Sequence, residues 1–432
     1  MSDLTVTTRR RSATTASGSA GQRLTREDRQ LRIERLVLCL AVATIPFMSI
    51  VTVAGTDINL SVADALLPLV ALVSLRPHSF WGKPETSLLY GYAFITLTAL
   101  FLSLWWASLT SPVALSAGLL TIFKLVVALI YLILLARLMT ASLARGDDLF
   151  VKVWVGVSAA VAAAALMSSV LGVSVLSRQT AFRNSGSFDD PNLFAIYLII
   201  SAGVSLWLFE RHGRGLPLLA MLINLAAIPT TGSRGGAVAL VAAMLVAFVW
   251  MSWKNKARFL AVAGVVVVVA WGRGLVADLL LNPNVQRIVS NEGGLDSARR
   301  DLWAFGLDLW SENLVLGVGP GQFQVLSSGL IDASRGNVVH NTYLSVGVEL
   351  GLVGFFCFFS LWAWLGVSAV THSRGQGAGL LLAVAGLALG MVTLNLENAR
   401  FAWALAAFIW AATLGTRLNM DTGKNAPAAP HH

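Results

Sequence analysis

This chain has very little charge. Only 12% of its 432 residues are charged, 56% are hydrophobic, and the mean hydropathy is +0.72. Soluble domains carry about 25% charge, so a water-facing fold is excluded and a membrane protein is expected. Cysteine is almost absent. Cys39 and Cys357 both fall in apolar runs, which excludes a disulfide framework and a paired-cysteine metal signature and makes both core residues. The apolar runs lack the strict alternation of a membrane β-barrel, so spanning strands are excluded. The net charge of +9 would suggest nucleic acid in a soluble protein; in a membrane protein it mostly sets orientation, and no nucleic-acid partner is expected. No carboxylate cluster outside the apolar runs suits magnesium or manganese, and no metal or cofactor is expected.

What the chain has instead is a series of apolar runs. Twelve are legible, over 36–54, 58–75, 87–107, 114–136, 150–172, 191–209, 216–231, 236–252, 258–276, 342–369, 378–395 and 400–416. Each is close to the roughly 20 helical residues that cross a bilayer. The expectation is an all-α polytopic membrane protein of about twelve spans. A basic, partly disordered tail occupies 1–35, spans one to nine lie within 36–276, and a long polar loop fills 277–341. Spans ten to twelve lie within 342–416, and 417–432 form a second tail. With both tails in the cytoplasm, 21 of the 31 Lys and Arg residues fall inside, 9 fall outside, and Lys124 lies within a span. That bias fixes the orientation, because Lys and Arg collect in cytoplasmic loops.

The remaining polar residues sort onto the outer face. Asp190 before Pro191 reads as an N-cap followed by a proline at the first helical position, or as a partner for a sugar hydroxyl or for Arg183. Thr230-Thr231-Gly232-Ser233-Arg234-Gly235-Gly236 surrounds one guanidinium with small residues. Such a fork matches phosphate oxygens; the alternative is a packing turn whose arginine reaches lipid headgroups. In the long loop, Arg299 and Arg300 lead into Trp303, Leu307 and Trp310, whose helical spacing predicts a helix with its apolar side on the membrane surface. Gly317-Val318-Gly319-Pro320-Gly321 is a turn without the lysine of a phosphate loop.

The loop closes on His340-Asn341. Asn341 is expected to cap the next helix, and the helix dipole then lowers the pKa of His340 toward the neutral form of a general base. Glu349 lies about 180° away around that helix and forms no dyad with it. Lys124, about 15 Å below the outer end of its span, requires a partner or a function. Asp64 is the nearest acid by depth and the expected ion-pair partner; the competing role is assistance to the arginines.

The combination of Ser233-Arg234-Gly235, Arg299-x-x-x-Trp303, Gly317-x-Gly319, His340-Asn341-x-Tyr343-Leu344 and Glu349-x-Gly351 resembles the O-antigen ligase/polymerase superfamily. Ser61-Val62-Ala63-Asp64 and Asp190-Pro191-Asn192 also look like its pattern, and the similarity covers most of 36–416. The resemblance implies a multi-pass protein of the bacterial inner membrane, with 277–341 as a periplasmic catalytic loop. It also implies metal-independent glycosyl transfer from undecaprenyl diphosphate. The donor is an undecaprenyl-diphosphate-linked glycan; the acceptor is lipid A–core oligosaccharide for a ligase, or a second lipid-linked repeat for a polymerase. One dominant outer loop leans toward the ligase. By the matching positions, His340 is the acid/base residue and Arg234 and Arg299 hold the diphosphate. Arg300, adjacent to Arg299, competes for its position, and Arg183 is a further candidate. Asp190, Asn341, Tyr343 and Lys124 are structural or substrate-assisting candidates. A transporter or flippase of lipid-linked sugars is the alternative of another class, favoured by ionisable residues at mid-membrane, where only Lys124 stands.

Overall fold

The computed structural model describes residues 26–48, 51–52, 59–74, 84–110, 112–171, 178–180, 183–272, 281, 286, 295–328, 330 and 337–424. Arg287 and Arg335 of the long loop lie outside the described residues. The chain is helical nearly throughout. In order the helices are α1 (Arg26–Ala43), α2 (Val62–Ser74), α3 (Pro84–Thr110), α4 (Leu115–Ala144), α5 (Leu149–Leu171), α6 (Pro191–His212), α7 (Gly215–Ala227, continued by a 3-10 turn Ile228–Thr231), α8 (Arg234–Trp250), α9 (Trp253–Gly272), α10 (Leu295–Glu312), α11 (Gln322–Leu326), α12 (Thr342–Gln376), α13 (Ala378–Thr393) and α14 (Arg400–Lys424). Each of the twelve apolar runs carries one helix.

Among the described residues, α3, α4, α5, α6 and α12 are long and apolar enough to cross a membrane, and five further apolar helices are shorter. The chain is a multi-pass membrane protein. The first helix departs from expectation: it starts at Arg26, inside the basic segment, and ends at Ala43, where a turn leads to a small hairpin. That hairpin, β1 (Val51–Thr52) with β2 (Asn59–Leu60), and a second, β3 (Arg178–Thr180) with β4 (Arg183–Gly186), are both antiparallel. Neither spans anything.

The bundle is organised around α6 and α14. Every residue from Phe194 to Phe209 and from Phe401 to Leu414 is buried. A helix apolar all round belongs inside. Between α6 and α13 the backbones nearly touch: a Cβ added at Gly203 would lie 2.7 Å from the Ala383 nitrogen, and one at Gly379 would lie 2.2 Å from the Trp207 nitrogen. In lipid, where burial of apolar surface does not drive helices together, such close packing does. Glu210 near the end of α6 accepts the Gly379 N–H at 3.2 Å.

α12 is interrupted. Gly351 sits at φ +63° inside it, where hydrogen bonding within the helix lapses and the segment Leu314–Gly319 takes over. Val318 and Gly319 N–H groups donate to the Val348 and Glu349 carbonyls at 2.9 and 3.0 Å. Leu352 and Val353 N–H groups donate to the Leu314 and Val315 carbonyls at 2.8 and 3.2 Å. Backbone polar groups at membrane depth must be satisfied by protein, and this inserted segment does so. The Gly317-x-Gly319 and Glu349-x-Gly351 motifs are the two halves of one contact. A Cβ at Gly317 would meet the Glu349 carbonyl at 2.5 Å, and one at Gly351 would meet that of Val315 at 2.3 Å.

Candidate functional site

The helix starts of α2 and α14, of α6 and the turn before α8, and of α12 and the turn before α14 are bonded to one another, and Gln322 of the loop bonds the start of α4. α10 forms where the tryptophan spacing predicts a helix, but it does not lie on lipid with that side down. Trp303 donates its indole N–H to the Val339 carbonyl at 2.9 Å, and Trp310 packs on Phe355 with ring centres 5.8 Å apart, in the space left by Gly347. Leu307 alone of the three is exposed. The loop has its own small core of Leu302, Val318, Phe323, Val339, Leu344 and Val348, so α10 is fastened to α12 rather than floating on the bilayer.

His340 sits where this core meets the bundle. Its neighbours pin it from both sides: the Val339 carbonyl is held by Trp303, and the Asn341 N–H donates to Asn395 Oδ1 at 3.1 Å. Between them His340 has φ +53°, the one positive φ at a residue other than glycine among the described residues. Such strain, about 1–2 kcal/mol, persists only where surroundings enforce it. Asn341 caps α12, its side chain accepting the Leu344 N–H at 3.1 Å. The pKa of His340 is lowered first by burial and then by the Arg299 charge, with Asp190 opposing. The direction matches the sequence-based expectation, with burial as its first cause.

Arg299 on α10 and Asp190 at the start of α6 thus both act electrostatically on His340 at the start of α12. Arg299 is half-buried and acts electrostatically on His340, whereas Arg300 is exposed. Asp190 also caps α6, accepting the Asn192 N–H at 2.6 Å. Glu349 does face away: its carboxylate accepts backbone N–H groups of Gly321 and Phe323, just past the inserted segment.

Arg183 and Arg234 are joined through one turn. Arg183 Nε donates to the Thr231 carbonyl at 2.8 Å and its Nη2 to Asn192 Oδ1 at 2.7 Å. Thr231 leads through Gly232, at φ +59°, to Ser233, which caps α8 by accepting the Gly236 N–H at 3.0 Å. Arg234 is the first residue of α8. Gly235 and Gly236 let this helix start press against Thr393 and Ala195, which a Cβ would approach to 2.8 and 2.7 Å. Arg183 thus fixes the Arg234 turn to α6. Tyr343 turns away from the histidine; its hydroxyl donates to the Ala388 carbonyl at 3.0 Å and its ring stacks on Phe359.

The expected pairing of Lys124 with Asp64 does not form. Asp64 Oδ1 is bonded by Arg400 Nε at 2.7 Å, and Asp64 Oδ2 accepts from the Ser61 N–H and hydroxyl at 3.0 and 2.7 Å. Ser61-Val62-Ala63-Asp64 is thus a capping box tied to the start of α14. Arg400, 336 residues away, reaches Asp64 by tertiary packing that no local spacing announces. Asn395 and Glu397 also escaped sequence reasoning. The Asn395 amide donates to Glu397 at 2.8 Å, and both lie in the short turn before α14, where polar residues crowd between two apolar runs.

Comparison with known families gives one match: residues 219–359 fit the family described as O-Antigen ligase. The matched stretch contains Arg234, Arg299, Arg300, His340, Asn341 and Tyr343, and leaves Lys124, Arg183 and Asp190 outside. A comparison with curated proteins returns no match.

Proposed function

We propose, from the premise that residues 219–359 of this multi-pass membrane protein form an O-antigen ligase domain of the O-antigen ligase/polymerase superfamily, that the chain transfers a glycan. The donor is a glycan linked to undecaprenyl diphosphate and the acceptor lipid A–core oligosaccharide, at the periplasmic face of the inner membrane. The observation that carries the reading is the strained, half-buried His340 beside Arg299 at the mouth of α12.

The chemistry follows from those groups. An acceptor hydroxyl oxygen attacks the anomeric carbon, and the bond from that carbon to the diphosphate oxygen breaks. The electron pair leaves on undecaprenyl diphosphate, and the acceptor proton passes to the free ring nitrogen of neutral His340. Arg299 and Arg234, with Arg300 and Arg183 beside them, meet the charge building on the leaving diphosphate. Fixed cations in a water-poor site stabilise such charge without reorganising, and no metal step is required.

The test uses purified protein and an undecaprenyl-diphosphate-linked glycan, offered lipid A–core in one arm and only further lipid-linked glycan in the other. Product on lipid A–core alone supports the ligase, and chain growth in the second arm converts the reading to a polymerase. Loss of turnover in EDTA, restored by a divalent ion, would overturn the arginine account.

A further inference from the structure

The conformation of His340 is the relative rotation of two peptide planes. The plane before it is held through the Val339 carbonyl by Trp303, and the plane after it through the Asn341 N–H by Asn395 Oδ1. A residue with a side chain keeps a φ of +53° only while its surroundings hold it there. Trp303 stands on α10 and Asn395 in the turn between α13 and α14, so the two grips come from separate parts of the chain.

Asn395 can hold its plane with one orientation of its amide only. While Oδ1 accepts the Asn341 N–H, Nδ2 donates to Glu397 Oε1 at 2.8 Å and to Ser345 Oγ at 3.2 Å. An amide turned over would set Nδ2 against the N–H and Oδ1 against the carboxyl oxygen. Glu397 Oε1 therefore selects the orientation, and the Ser345 hydroxyl donates to the same oxygen at 3.3 Å. Glu397 is fixed in turn from α14, where the buried Trp403 donates its indole N–H to the Glu397 backbone carbonyl at 2.9 Å. Glu397 Oε2 is buried with no hydrogen-bond partner among the described residues, a setting that disfavours a charge. Burial likewise raises the Glu397 pKa.

Docking of the turn as a whole is separate. The Thr342 N–H and hydroxyl donate to the Leu394 carbonyl at 3.0 and 2.7 Å, and the same hydroxyl accepts the Leu396 N–H at 2.9 Å. The turn thus stays attached to α12 without the Asn395 amide.

We propose that Asn395 and Glu397 are positioning residues for the proton transfer at His340: Glu397 orients the Asn395 amide, and that amide holds the His340 backbone in its working conformation. The inference rests on the transferase reading for the identity of the reaction. Glu397 acts as an acceptor through one oxygen and not as a charge, so the amide of a glutamine can replace its carboxyl.

The test uses the full chain in detergent. Transfer kinetics and melting temperature are measured beside the pH dependence of His340 modification by diethylpyrocarbonate, read by mass spectrometry of the His340 peptide. That reagent attacks neutral imidazole, so its pH midpoint reports the His340 pKa without any transfer. Asn395→Ala should lower kcat by about 10–100-fold at unchanged KM for the donor, because the arginines are untouched. Its melting temperature should stay close to the wild type, because Thr342 keeps the turn docked. Its modification midpoint should rise toward the ordinary histidine value, since a released ring regains the water that burial excludes. Glu397→Ala should do the same, and Glu397→Gln should match the wild type. Asn395→Asp keeps the acceptor oxygen but loses the donor and should lower kcat; adding Glu397→Gln, whose amide can donate back, should restore it.

Wild-type kcat and midpoint in Asn395→Ala, a raised KM at unchanged kcat, a Glu397→Gln variant as impaired as Glu397→Ala, or no restoration in the double variant would each overturn the proposal. Should Asn395→Ala fail to fold, the Glu397→Ala and Glu397→Gln pair carries the same decision. The two readings separate. Normal transfer with an unmoved midpoint in Asn395→Ala would sink the positioning and leave the transferase standing. A midpoint that moves in Asn395→Ala and returns in the double variant, in a protein that transfers glycan to no acceptor, would do the reverse.

Discussion

Replacing Gly351 by alanine should damage this protein out of proportion to one methyl group. The residue sits at φ +63°, which costs a side-chain-bearing residue about 1–2 kcal/mol relative to glycine. The new Cβ would lie 2.3 Å from the carbonyl carbon and oxygen of Val315, backbone atoms that cannot rotate aside, so the inserted segment must move. The nearest bonds it would lose are Leu352 to Leu314 and Val353 to Val315, at 2.8 and 3.2 Å, each worth about 1 kcal/mol net. The expected loss is therefore about 3–4 kcal/mol, at the upper end for one substitution. Gly156→Ala is the matched control: it lies on the exposed face of α5 with nothing within 4 Å of the new Cβ, and it should be neutral or stabilise by about 0.5–1 kcal/mol. Thermal unfolding of both variants in one detergent is the assay. If Gly351→Ala melts with the wild type while Gly156→Ala behaves as expected, the inserted segment is not what completes α12.

Other substitutions address the chemistry. His340→Ala should remove transfer in a folded protein, since a general base contributes about 10²–10⁴-fold; more than about a tenth of wild-type turnover would exclude that role. Because burial and Arg299 hold the His340 pKa below its ordinary value, the neutral base persists into mild acid, and the acid limb of kcat/KM should lie below about pH 6.5. Arg299→Gln removes one lowering cause and should move that limb to higher pH; an unmoved limb would show that the titrating group is not His340. By the same linkage, the stability contributed by neutral His340 is present above the unfolded-state pKa and lost as pH falls through the folded one. Arg234→Lys should cost donor affinity if its fork grips two phosphate oxygens, and near-normal affinity would support a headgroup contact instead. Asp64→Leu and Arg400→Met should each destabilise by about 3–5 kcal/mol, with the double variant recovering most of it. Additive losses would deny the pair.

The helices were legible because their signal is repeated many times over. The run read at 191–209 is the helix Pro191–His212, and 87–107 is Pro84–Thr110. Caps were legible for the same local reason: Asp190 before Pro191, and Asn341 before an apolar run. What depended on distant residues was hidden. Depth along two helices suggested Lys124 for Asp64, but depth says nothing about azimuth, and Arg400 is the residue that reaches it. Spacing placed Trp303 and Trp310 on one helical face, yet nothing local told protein from lipid as the surface they meet. Nor did a glycine within an apolar run announce that another segment of backbone would be built into α12 there.

The close approach of α6 and α13 bears on the order in which this protein is assembled. Glu210 and Gly379, which bond across that contact, are 169 residues apart in sequence. The central helix α6 therefore enters the membrane long before the helix that covers its glycine face has been made. Aromatic contacts of Tyr197 with Phe401 and of Trp207 with Phe408 come later still, with α14. The bundle closes from its C-terminal end. A chain halted before Ala378 would hold Arg299, His340 and the whole loop, yet the helix capped by Asp190 would lack the neighbour that its Gly203 face packs against.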